Sequence, residues 1–152
     1  MNTIEDCIHQ EATKLIKRHE AYASRLARDL DRIERRTGDA RIKTVQRPSY
    51  WSIDRGFDPY YVRSHSSAIA RSIEKSLAAR DYSPRPAFQY EVPKQDGSKR
   101  KVSVFQVADS ALSTLTFRRL MAKNARHLSS SAYAYRGDLS IHDAVKHVAA
   151  CQ

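Results

Sequence analysis

Apolar or weakly polar residues recur at Ile4, Ile8, Ala12, Leu15, His19, Tyr22, Leu26, Leu30 and Ile33, in alternating steps of three and four. That spacing holds one stripe on a turn of 3.6 residues, so an amphipathic helix is predicted. Thr3 stands at the N-cap position with Asp6 three residues on, and Gly38 after Thr37 suits a left-handed stop. At 1.5 Å per residue the helix would run about 50 Å. Residues 38–57 lose the periodicity. A second helix is signalled by Asp58 as N-cap and Pro59 at its first position, with Val62, Ile69, Ile73 and Leu77 as the buried stripe. Pro84 and Pro86 bar any continuation.

The period then changes. Phe88, Tyr90 and Val92 alternate with polar neighbours, as do Val102 and Val104 beyond a glycine-containing turn, which predicts an antiparallel hairpin with one buried face. Pro93 falls at the strand end, where a missing N–H matters least. Asp109 is expected to cap a third helix carrying Leu112, Leu115, Leu120 and Met121. A last helix opens at Ser140, with Asp143 completing a capping box. The fold class is α+β and mostly helical.

Composition changes this picture in one respect. The 152 residues carry a formal charge of +10, which draws a protein to phosphate backbones or anionic surfaces. Residues 1–36 are nearly balanced, eight Lys or Arg against seven Asp or Glu, so 19 basic against 10 acidic residues fall in 37–152. The phosphate-seeking charge belongs to the later segment. No apolar run approaches the roughly 20 residues of a spanning helix, and the amino terminus lacks a secretory layout, so a cytoplasmic protein without a membrane association is expected. Cys7 and Cys151 lie at opposite ends, giving no disulfide framework. His142 and His147 have no companion cysteine pair, and no zinc pattern is present.

The cations cluster most densely from Tyr90 to Val102. Lys94 and Arg100 flank Gly97 on opposite arms of the hairpin and could hold a polyphosphate between them. In the irregular segment, Arg47, Tyr50, Trp51, Arg55 and Phe57 interleave cations with aromatics. Such rings either stack on unpaired bases or pin the loop to the helices, and packing is the better reading.

Pro93, Lys94, Gly97 and Arg100 match the P-K-x-x-G-x-x-R first fingers motif of reverse transcriptases, and the chain resembles that family here. Downstream, Ser131-Ala132-Tyr133-Ala134-Tyr135-Arg136 with Ser140-Ile141-His142-Asp143-Ala144 is similar to the segment closing the fingers of group II intron-like bacterial enzymes. The resemblance covers about residues 57–150. It implies a helical extension over 1–86 and a fingers subdomain over 87–152. The palm, whose aspartates hold the catalytic Mg2+, would follow the chain.

The resemblance further implies that Lys94 and Arg100 bind the triphosphate of an incoming dNTP. Lys99, Lys101, Tyr135 and Arg136 would contact template or other nucleic acid. The partners implied are an RNA template and its cDNA, in some members with a dedicated non-coding RNA. Val104-Phe105 and Arg136-Gly137-Asp138-Leu139 depart from the intron enzymes, and the wording is nearer to bacterial enzymes of unknown-group and antiphage-defence type. Two other classes stay open. One is a non-catalytic basic RNA-binding module; the other is a helical protein that forms homo-oligomers through residues 3–36.

Overall fold

Thr3 and Asp6 satisfy each other's backbone, Asp6 N–H donating to Thr3 Oγ1 at 3.1 Å and Thr3 N–H to Asp6 Oδ2 at 2.9 Å. From this capping box helix α1 runs over Ile4–Thr37, ending at Gly38 with φ 75°. Both ends fall where the sequence predicts them. The computed structural model describes residues 3–39, 44–124, 127 and 139–150. A single 3-10 turn, Ser49–Ser52, precedes α2, Pro59–Ser64. Asp58 caps α2 by accepting from Tyr60 N–H at 2.9 Å.

The second predicted helix is in fact two. Its chain breaks at His65, φ −115° and ψ 16°, and restarts as α3 over Ser66–Ala79. The His65 ring stacks on Tyr61 at 4.0 Å, with Nδ1 2.9 Å from the Tyr61 carbonyl oxygen. α3 stops at Arg80, which takes left-handed geometry (φ 58°) before either proline is reached.

Strands β1, Phe88–Pro93, and β2, Lys99–Val104, form one antiparallel pair. Helix α4 spans Val107–Asn124 and α5 spans Ile141–Ala150. Ser140 and Asp143 build the expected capping box on α5, with Ser140 N–H donating to Asp143 Oδ2 at 2.8 Å. The Ser140 hydroxyl, donating to Asp143 Oδ2 at 2.6 Å, and then the Ser140 amide hold the Asp143 carboxyl below its ordinary pKa.

Two compact units divide the chain, Met1–Thr116 and Phe117–Gln152. The core of the first joins Cys7, Ile8 and Ala12 of α1 to Val62 of α2, Ala70 and Ile73 of α3, and Val107, Ala111 and Leu115 of α4. On α1 the fully buried residues are Cys7, Ile8, Ala12 and Ile16, all in its first half. Tyr22, on the predicted stripe, is 58% exposed. In the second unit, Ile141, Val145 and Val148 give α5 an exposed apolar face.

Asp109 is not the cap of α4. The helix begins two residues earlier, because the Gly56 carbonyl accepts the Val107 N–H at 2.9 Å and so satisfies an amide that a side chain would otherwise have to take. Asp109 turns instead to the incoming segment, accepting from the Tyr82 hydroxyl and from Arg85 N–H at 3.1 Å. Burial, reinforced by that carboxylate, pushes the Tyr82 phenol well above its ordinary pKa.

Candidate nucleotide and nucleic-acid interface

The hairpin turn is built by its own sequence. Lys94 N–H donates to the Ser98 carbonyl at 2.7 Å and Gly97 N–H to the Lys94 carbonyl at 3.1 Å, closing a loop of Gln95, Asp96 and Gly97. Gly97 takes φ 80°, the left-handed position that a three-residue hairpin loop requires. Asp96 Oδ1 receives both the Ser98 N–H at 2.9 Å and the Ser98 hydroxyl at 2.6 Å. Those two donors, the hydroxyl first, hold the Asp96 carboxyl below its ordinary pKa.

Register then sorts the cations. Tyr90 pairs with Val102 and Val92 with Arg100, which puts Arg100 on the face of Phe88, Tyr90, Val102 and Val104. Lys99 and Lys101 lie on the opposite face with Glu91. There Lys99 Nζ sits 3.1 Å from Glu91 Oε2, so part of its charge is already neutralised. Lys94 and Arg100 are both exposed, and among the described residues neither has an ion-pair partner. Tyr135, Arg136 and Asp138 lie outside the described residues.

The apolar face of the hairpin is half-buried rather than buried, and Tyr90 stays 39% exposed. What covers it comes from the irregular segment. Tyr50 stacks on Phe88 at 6.2 Å and on Tyr90 at 6.5 Å, and meets Trp51 and Phe57 edge-on at 6.5 Å each. Trp51 and Phe57 are only 6% and 5% exposed. Trp51 packs edge-on against His19 of α1 at 5.2 Å and Tyr60 of α2 at 6.0 Å. The aromatics therefore pin the loop, as the packing reading has it. The Trp51 indole N–H finds no hydrogen-bond partner among the described residues.

Sequence reasoning missed what the arginines around these rings do. Arg47 lies over the Tyr60 ring at 4.5 Å, Arg63 over the same ring at 6.0 Å, and Arg55 over Tyr61 at 5.5 Å. The Tyr60 and Arg63 spacing, three residues on one helix, is the signal that was available. The neighbouring carboxylates are each engaged through one oxygen. Asp54 Oδ1 accepts from Gly56 N–H at 2.7 Å and from Gln106 Nε2 at 3.0 Å, and Asp58 caps α2.

A groove of about 570 Å³ lies away from the hairpin loop, lined by Ser72, Ser76, Tyr82, Arg85, Gln106 and Asp109 among others. No three His, Cys, Asp or Glu side chains among the described residues come together as a metal site. Asp96 and Asp143 each bond to a serine in their own turn, and Asp109 bonds to Tyr82 and Arg85 of the incoming segment. No described helix is long and apolar enough to cross a membrane. A scan against protein-family models finds no match, and neither does a search of the curated proteins.

Proposed function

We propose that the chain is the amino-terminal extension and fingers of an RNA-directed DNA polymerase of the antiphage-defence type, with Lys94 and Arg100 receiving the triphosphate of the incoming dNTP. The observation that carries this reading is the tight loop itself. It presents two exposed cations, free of ion-pair partners among the described residues, at a Lys-x-x-Gly-x-x-Arg spacing, with Gly97 in the conformation that lets backbone come close to a ligand. Lys94 supplies a mobile point charge and Arg100 a planar fork, together neutralising charge that grows on the leaving pyrophosphate. Lys99 and Lys101, on the far face, suit template contacts. The Mg2+ such a reaction uses would be held by palm carboxylates, and no step here is assigned to it.

The test is incorporation kinetics in the polymerase carrying residues 1–152 together with its palm. Lys94→Ala and Arg100→Ala are each expected to cost about 2 to 4 kcal/mol of transition-state stabilisation. Folding stability should move by about 0.5 kcal/mol or less, as for other exposed positions. Unchanged incorporation in both variants would remove the triphosphate role. Residues 1–152 alone should extend no primer in magnesium or manganese. Template-dependent extension by that fragment, abolished by chelator and by Asp138→Asn or Asp143→Asn, would mean that the active site is elsewhere.

A basic RNA-binding module is the second reading, favoured by the excess of cations in residues 37–152. It needs neither a palm nor nucleotide use, so the same kinetics separate the two.

A further inference from the structure

We infer that Arg47, Arg55 and Arg63 form a second phosphate-binding surface, on the helical extension, which holds the backbone of single-stranded RNA independently of the hairpin. The surface rests on α2 and the loop before it. Arg47 and Arg63 approach one ring, Tyr60, so their guanidinium carbons are no farther apart than the sum of 4.5 and 6.0 Å. Arg55 sits over the next residue, Tyr61, which a helix turns by about 100°. Arg47 and Arg63 therefore share one ring while Arg55 sits over the next. Such a spread suits successive phosphates of a chain better than one small anion.

The chemistry favours phosphate. A guanidinium resting on a ring gives up little more freedom when a ligand arrives, and its N–H edges still point a rigid fork outward at phosphate oxygens. Arg47 and Arg55 are exposed and Arg63 is half-buried. Among the described residues none of the three has a carboxylate partner; Asp54 and Asp58, the acids nearest in the chain, bond through Oδ1 to backbone amides and Gln106. RNA is favoured over a membrane because Trp51 and Phe57 are buried in the fold, leaving Ile53 as the one large apolar side chain exposed on this segment among the described residues, too little to anchor in lipid.

The experiment measures binding of the 152-residue chain to a labelled, unstructured RNA oligonucleotide across a salt series, without nucleotide. The triple variant Arg47→Gln/Arg55→Gln/Arg63→Gln should lose about tenfold affinity or more near 0.1 M salt. Its plot of log affinity against log salt should flatten by about 2, three contacts at roughly 0.7 each. Lys94→Ala/Arg100→Ala should keep most of the wild-type slope, so this result stands or falls apart from the triphosphate reading. If the triple variant melts early, Arg55→Gln alone, at an exposed site, should flatten the slope by about 0.7. Wild-type affinity and slope in these variants would overturn the inference. So would variants that keep RNA but lose binding to phosphatidylserine vesicles, which would reassign the surface to membranes.

Discussion

Asp96 is an acid in the middle of a loop proposed to receive an anion, and its side chain explains why it is there. It organises the turn by taking two donors from Ser98. The amide oxygen of asparagine can accept the same bonds without the charge. Asp96→Asn should therefore leave the hairpin intact and raise affinity for a nucleoside triphosphate about threefold at low salt, an effect that fades as salt screens it. Titration calorimetry against the wild type checks this, and unchanged or weaker binding would count against a triphosphate at this loop. The carboxyl also sets a pH dependence. Its folded pKa is lowered from an ordinary 3.8, so its contribution to the turn is complete above that value and lost as pH falls through the lower, folded one. An NMR titration should show the Ser98 amide of the wild type shifting on the acid side, and the Asn variant not shifting there.

Elements were legible in the sequence wherever neighbouring residues carry the signal, and illegible where distant ones do. The boxes Thr3 with Asp6 and Ser140 with Asp143, and the Asp58-Pro59 start, need only three or four consecutive residues, and each appears as expected. The break at His65 is hidden because Val62 and Ile69 are seven residues apart, two turns of an unbroken helix, so the apolar stripe carries no trace of it. The start of α4 was misplaced for a related reason. Its first amide is taken by Gly56, some fifty residues earlier in the chain, a partner that no local pattern can reveal. A Cβ at Gly56 would meet the Gln106 carboxamide, the far end of a flexible side chain. Gly56→Ala must displace that group from its bond to Asp54. A loss of about 1 to 2 kcal/mol in chemical denaturation is expected; a neutral result would show that Gln106 moves aside freely. In the candidate site, the placing of Lys94 and Arg100 on the two arms of a glycine turn was legible from spacing, while their proposed role rests on the resemblance. Their separation from Lys99 by strand face, and the stacking of Tyr50 on the hairpin, depend on register and long-range packing.

At the scale of the whole molecule, charge and core are unevenly shared. α1 contributes nearly balanced charge and much of the first unit's core, whereas the cations proposed to meet phosphate stand on the hairpin and around α2. Because its fully buried residues end at Ile16, one continuous helix should contain two regimes of amide hydrogen exchange. Amides around Cys7 to Ile16 should open only when the whole unit unfolds and share its free energy. Those beyond about Arg25 have no fully buried neighbour on their own helix, and an isolated stretch of that length is barely stable in water. They should exchange through local fraying, faster by orders of magnitude and unaffected by destabilising the core with Ile8→Ala. Uniform protection along all of α1 would mean that the distal half is held by a partner. Otherwise limited trypsin should cut first among Arg25, Arg28, Arg32 and Arg35, releasing the end of the helix while the unit to which its start is anchored stays folded.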